Sequence, residues 1–150
     1  MIAEKNYTYV SQIDKLRKRC RTGSRCVFIR LSENIGLKLY KDESNATRTV
    51  ERQTKAFKHG LGPKVLSGVK AYRMKRRGKF RTFYGYKTQI VKLCRREYDN
   101  EELGHKMDQL ISNLEDIGLP SYDVCWFNCG WIGDKLVCID FDDVSMDNFG

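Results

Sequence analysis

Three oxygen-bearing side chains in the second half of the chain, Asp123, Asn128 and Asp140, have the types and spacing of a metal-and-base site. Asp140 follows the apolar run Leu136-Val137-Cys138-Ile139 and opens the acidic stretch Asp140-Phe141-Asp142-Asp143. A carboxylate at the end of a buried strand is costly unless a charge meets it. Hard oxygen donors of this kind suit Mg²⁺, which takes one or two carboxylates and shares its other positions with water and phosphate. Asn128 lies twelve residues before Asp140, about what a short hairpin needs to bring the two alongside, and Asp123 precedes Asn128 by five. Taken singly, each aspartate also suits a turn or a helix cap.

A second set lies in the first half. Lys38 sits within Leu37-Lys38-Leu39-Tyr40, where alternation of period two sets it opposite its apolar neighbours. Glu51, thirteen residues on, falls in the middle of the helix expected next. If that helix packs back over the strand, the glutamate holds the ammonium in place for a phosphate. Two unrelated surface charges are the alternative.

Charge divides the same way. The 150 residues carry 28 Lys+Arg against 19 Asp+Glu, but residues 1–98 hold 26 and 7 of these, and residues 99–150 hold 2 and 12. A half of charge +19 facing phosphates and a half of charge −10 able to hold a cation fit this asymmetry, as do two surfaces that merely attract each other. The 41% hydrophobic fraction and the aromatic content (Phe 7, Tyr 8, Trp 2) argue for a folded core and against wholesale disorder. Apolar runs reach only about four residues, too short for a membrane span, and Met1–Val10 lacks the apolar block of a secretory signal. The six cysteines form no C-x-x-C pair; Cys125 and Cys129 could meet across a helical turn, but all six are expected as free thiols in a reducing, cytoplasmic setting.

The elements that must position these residues follow from periodicity and turn chemistry. Thr22–Asp42 reads as an antiparallel hairpin, with strands at Cys26–Leu31 and Leu37–Tyr40 around Ser32-Glu33-Asn34-Ile35-Gly36. Ser44 or Asn45 is expected to cap a helix running to about His59, ended by Gly60 and Gly62-Pro63, with Val50 and Phe57 on one face. Val65–Gln89 reads as strands broken by a basic turn at Arg77-Gly78, with Thr82–Val91 a central strand. Asp99 or Asn100 caps the strongest helix, whose Leu103, Met107, Leu110, Ile111, Leu114 and Ile117 form a core stripe ended by Gly118. A loop at Tyr122–Asn128, a turn after Trp131 and a buried strand at Lys135–Phe141 complete the chain.

In this order, a strand lysine, a helix glutamate, Asp-x4-Asn and Asp-Phe after an apolar strand, the sequence resembles the protein-kinase-like superfamily. GLKLYKDES followed by VERQTKAFKHGLGPKVL is similar to that fold's third strand, first helix and the loop into its fourth strand. YGYKTQIV is similar to its fifth strand and interlobe hinge, and SYDVCWFNCGWIGDKLVCIDFDD to its catalytic loop and metal-binding strand. The IDFDD ending is nearer the aminoglycoside-phosphotransferase and other small-molecule kinase branches than typical eukaryotic protein kinases. The resemblance implies an α+β fold of one domain. Residues 1–91 would form an antiparallel N-lobe sheet with one helix and the hinge; residues 92–150 would form a strongly reduced helical C-lobe carrying the catalytic-loop and metal-binding hairpin.

It also implies roles. Lys38 would hold the α- and β-phosphates of ATP with Glu51 orienting it, and Asp123 would be the catalytic base. Asn128 and Asp140 would coordinate Mg²⁺; Thr88 would lie behind the adenine, with Gln89 and Val91 offering hinge contacts. Gly23 and Ser24 would stand in the phosphate-covering loop, where Gly23 is the only glycine, and Ser121-Tyr122-Asp123 replaces the usual His-Arg-Asp. The short C-lobe implies completion by a protein partner or by self-association. Two readings therefore stand together: an ATP/Mg-dependent phosphotransferase, of protein or of small molecules, and a noncatalytic pseudokinase acting as an interaction module. A third rests on the cations Lys70, Arg73, Lys75, Arg76, Arg77, Lys79 and Arg81, interleaved with Tyr72, Phe80, Phe83 and Tyr84. These suit nucleic acid, and equally a solvated hairpin tip.

Overall fold

A computed structural model of the chain describes residues 8–10, 26–76, 78–95, 101–121, 124–125 and 128–142. Gly23, Ser24 and Asp123, together with Arg77, the Asp99 and Asn100 caps and Asp143, lie outside the described residues. The fold class is α+β. In chain order the elements are β1 (Thr8–Val10), β2 (Cys26–Arg30), β3 (Ile35–Tyr40), α1 (Glu43–Lys58), β4 (Lys70–Arg76), β5 (Lys79–Gln89), β6 (Lys92–Leu93), α2 (Glu101–Asp116), β7 (Cys129–Ile132) and β8 (Lys135–Cys138). Among the described residues, no helix is long and apolar enough to cross a membrane.

The residues separate into two compact units. The first takes the described residues up to Val50 and those from Val65 to Ile90; the second takes Glu51–Lys64 and those from Val91 onward. Helix α1 begins in the first and ends in the second.

The first unit is a five-stranded sheet in the order β1-β4-β5-β3-β2. All pairs are antiparallel except β1–β4, where Thr8 faces Tyr72 in a parallel ladder. The β2–β3 turn closes as its polar residues predict: the Leu31 and Ser32 amides donate to the Ile35 carbonyl, and the Ile35 amide donates to the Ser32 hydroxyl. Arg30 adds two bonds from its guanidinium to the carbonyls of Ser32 and Glu33. One sheet face buries Ile29, Leu37, Leu39, Tyr72, Met74 and Phe83 as a core. The other carries a stacked pair, Tyr40 and Tyr86, whose rings are 6.5 Å apart and lie at 4° to each other, packed with Ala46 of α1.

Helix α1 begins one residue or more before the expected caps. Asp42 caps it: its Oδ1 accepts from the Ser44 amide at 3.0 Å and its carbonyl from the Ala46 amide. A carboxylate outcompetes Ser44 and Asn45 here because it adds a charge at the positive end of the helix dipole. Its buried positions are Ala46, Thr49, Gln53 and Ala56, spaced 3, 4 and 3, whereas Phe57 is 40% exposed. The stripe is helical, but half of it is polar. Thr49 donates its hydroxyl to the Asn45 carbonyl and Gln53 its amide to the Pro63 carbonyl, so their burial leaves those donors satisfied.

The second unit combines a three-stranded antiparallel sheet, β6-β7-β8, with α2 and the end of α1. Leu103, Leu110 and Leu114 of α2 enter its core with Leu61, Leu119, Leu136 and Phe141, as the leucine spacing requires. Both helices end alike. Gly60 (φ 72°) and Gly118 (φ 78°) take the left-handed position, and the following amides reach back, Leu61 to Ala56 and Leu119 to Leu114.

Gly85 sets how closely β3 and β5 approach. A Cβ there would collide with the Lys38 carbonyl oxygen and the Leu39 side chain, and the first of these is backbone that cannot rotate away. Gly85→Ala is therefore expected to destabilise the chain by about 3 kcal/mol, the upper range for overpacking. Gly104→Ala, where the added Cβ meets nothing within 4 Å, serves as the control. Urea unfolding of the two variants checks the contrast.

Candidate functional site

The candidate residues fall into two groups, one per unit. In the first unit, Lys38 is half-buried on β3, opposite Phe28 of β2 and Tyr86 of β5. Directly opposed residues share a face, so Lys38 lies on the Tyr40–Tyr86 side of the sheet and not in the Leu37–Leu39 core. Thr88 belongs to the same face, opposite Gly36. A Cβ on Gly36 would meet the Phe28 ring, so this glycine gives the ring its room. Thr88 is buried and donates its hydroxyl to the Gln89 carbonyl at 3.3 Å. Gln89 is half-buried and pairs with Ile35, after which the Ile90 amide donates to Asn34. β5 thus holds Thr88 and Gln89 at a fixed register beside the lysine strand through backbone pairing.

In the second unit, Glu51 is exposed on α1 at the first residue past the boundary, and Val91 is half-buried beside Gly130. Asn128 and Asp140 stand at the same end of one hairpin, Asn128 beside Ile139 and Asp140 next along the chain. The β7–β8 hairpin turns at Gly133 (φ 64°) and pairs Ile132 with Lys135 through Cys129 with Cys138. One step beyond, the Ile139 amide donates to the Asn128 carbonyl at 3.0 Å. The ladder therefore delivers Asn128 to the strand end at which Asp140 emerges. Asn128 is buried, 8% exposed, and its amide donates to the Cys125 carbonyl at 2.9 Å.

The segment around Asp140 is held from several sides. The Asp140 Oδ1 accepts from the Asp142 amide at 3.0 Å, closing a turn to which its other carboxylate oxygen does not belong. The Cys138 thiol donates to the Asp140 carbonyl at 3.3 Å, and Arg52 of α1 donates to the Phe141 carbonyl at 3.1 Å. Phe141 is buried in the core against Gly62, whose lack of a Cβ admits the ring. Lys106 of α2 braces the far end of the hairpin, donating to the Asp134 carbonyl at 3.0 Å with its ammonium over the Trp131 ring.

The Asn128 side-chain amide and the Asp140 carboxylate are each hard oxygen donors of the kind Mg²⁺ accepts, with room in its coordination for water and phosphate. Among the described residues no three or more His, Cys, Asp or Glu gather as a metal-binding group. Comparisons with protein-family models and with curated proteins return no match.

One constellation lies outside the sequence expectation. Cys94, Cys129 and Cys138 form a row across β6, β7 and β8: Cys129 opposes Cys138, and the Cys94 amide donates to the Cys129 carbonyl in continuation of the β6–β7 register. All three are buried free thiols of the core. The signal was the hairpin itself, since a two-residue turn at Gly133-Asp134 puts positions 129 and 138 opposite each other. Burial, joined by the nearby Cys138, Cys94 and Cys125 sulfurs, pushes the Cys129 thiol far above its ordinary value.

That shift fixes the sign of a pH effect. In the unfolded chain the thiol ionises near 9.0, while in the fold it keeps its proton. The unfolded state thus binds fewer protons above that pH, and stability falls as pH rises. The buried Tyr72 phenol, raised from 10.0 by desolvation, adds to the same limb. We expect the urea midpoint to be flat from pH 7 to 8.5 and to drop above pH 9. Cys129→Ala should be less stable at pH 7 by about 1 kcal/mol yet show a shallower alkaline decline.

Proposed function

We propose that this chain is an ATP- and Mg²⁺-binding protein of protein-kinase-like design, acting as a minimal phosphotransferase. The observation that carries the reading is the β7–β8 hairpin, whose ladder sets the Asn128 backbone beside Ile139, one residue before Asp140, the pair to which the resemblance gives the metal. A second support is the order of the first unit, a hairpin, a helix and a hairpin, with the Lys38 strand next to the strand that ends in Thr88 and Gln89. In this reading Asn128 and Asp140 hold Mg²⁺, whose contribution when bound is to neutralise charge on the phosphate oxygens.

The remaining residues take the following parts. Lys38 binds the α- and β-phosphates, and Glu51 orients its ammonium. Gly23 and Ser24 cover the phosphates with backbone amides, and Thr88, Gln89 and Val91 border the adenine. Asp123 accepts the proton of the acceptor hydroxyl. A protein partner or a second copy completes the substrate side, and the free thiols of the described cysteines suit a reducing, cytoplasmic location.

The test is a thermal-shift titration with ATP, with and without Mg²⁺. At nucleotide ten-fold above Kd, linkage adds about 1.4 kcal/mol, which raises Tm by about 4 °C in a chain of this size. Asp140→Asn should remove the Mg²⁺-dependent part of the rise, and Lys38→Met should weaken nucleotide binding at least about ten-fold through loss of a charge-assisted contact. Slow ATP turnover or self-phosphorylation should vanish in Asp123→Ala. No shift at millimolar Mg-ATP would reject the phosphotransferase and leave the noncatalytic module.

A further inference from the structure

The β4–β5 hairpin has a built surface that the nucleotide reading does not use. Phe80 is the most exposed large apolar side chain among the described residues, at 52%. It lies directly opposite Lys75 across the ladder, and the next pair on the same face is Arg73 with Thr82. The Lys75 ammonium and the Arg73 guanidinium each sit 5.9 Å from the centre of the Phe80 ring. Arg73 is also tied down, donating to the Thr82 hydroxyl at 3.2 Å. A single exposed ring is unremarkable on a protein surface; a ring with two cations fixed around it is a defined arrangement. The base of the ribbon is anchored, because Tyr72, Met74 and Phe83 are buried in the first unit's core.

The rest of the ribbon is cationic and open. Lys70, Lys75, Lys79 and Arg81 are exposed. Arg81 and Lys79 stand opposite Met74 and Arg76, on the face away from Phe80. Gly78 turns the tip with φ 78° and open space around it. Residues 70–81 contain no acidic residue. Cations along both faces of a ribbon, with one flat ring set among them, complement a ligand that alternates phosphates with planar groups.

We propose that this hairpin is a binding surface for single-stranded nucleic acid, in which Phe80 stacks an unpaired base and Lys75, Arg73, Lys79 and Arg81 track the phosphates. Single strands present unstacked bases to an aromatic ring, which a duplex does not. An acidic peptide would use the charges and leave the ring without a purpose. An anionic membrane would call for more than one apolar side chain, and Phe80 is the only large exposed hydrophobic among the described residues of the ribbon.

The experiment is fluorescence anisotropy of a fluorescein-labelled U20 oligonucleotide with the full chain, between 50 and 200 mM NaCl. Phe80→Ala should weaken binding about five-fold or more, the low end of base–aromatic stacking, without changing the salt slope. Phe80→Trp should retain affinity. The combined Lys75→Gln, Lys79→Gln and Arg81→Gln variant should reduce the slope of log K against log salt by about 2, from three lost phosphate contacts. These side chains are exposed, so an unchanged melting temperature is expected for each variant and verifies the fold. Three results would each overturn the proposal: no binding at 50 mM NaCl, an unaltered affinity in Phe80→Ala, or equal competition by polyglutamate, which would assign the surface to an acidic protein. Preference for a duplex of the same length would overturn it as well.

Discussion

The register of the β7–β8 hairpin is the constraint on which most of the second unit depends. Side chains alternate with period two, so a slip of one residue would turn every side chain of one strand over. Cys129 on β7 or Leu136 on β8 would leave the core, and Asn128 would no longer face Ile139. The register is fixed from both ends: Gly133 supplies the left-handed turn, and Arg52 and the Cys138 thiol hold the far end through the Phe141 and Asp140 carbonyls. Hydrophobic burial and placement of the oxygen donors are therefore one choice, made by the same ladder.

The first unit reaches a comparable end by a different route. Its lysine is positioned by a long antiparallel pairing in which Gly85 allows β3 and β5 to close up, and the Tyr40–Tyr86 stack stiffens the face that Lys38 shares. Sheet geometry brings Lys38 and Thr88 onto one face before any ligand is considered.

Much of this was legible in the sequence where one physical signal acted alone. The leucine spacing of α2, the Gly60 and Gly118 helix ends and the glycine-bearing hairpin tips each follow from local rules that packing did not override. The twelve residues from Asn128 to Asp140 likewise fit a tight hairpin, and the β7–β8 ladder with its two-residue turn follows that spacing. Helix α1 was harder because its inward stripe includes Thr49 and Gln53, polar residues that hydropathy assigns outward and that hydrogen bonds admit to the interior. Its start was misjudged for a related reason: three capping residues stand in a row at Asp42, Ser44 and Asn45, with Glu43 between, and the charge on the first decides. The parallel pairing of Thr8–Val10 with β4 joins segments some sixty residues apart, and three residues carry no signal for such a partner. The basic run around Phe80 could be read as a surface from its charges, but only the register separates Phe80 from the buried Tyr72 and Phe83 with which the sequence grouped it.

The thiol row also gives the second unit an internal clock. Alkylating reagents act on the thiolate, and a sulfur that is both covered and reluctant to ionise reacts only when the sheet opens. The rate at which Cys129 is modified therefore counts separations of β7 from its neighbours β6 and β8. Cys26, half-buried on β2, keeps time for the other sheet. One chain thus carries two independent chronometers of local breathing, distinguishable by mass because Lys and Arg residues between Cys26 and Cys129 place them in different tryptic peptides.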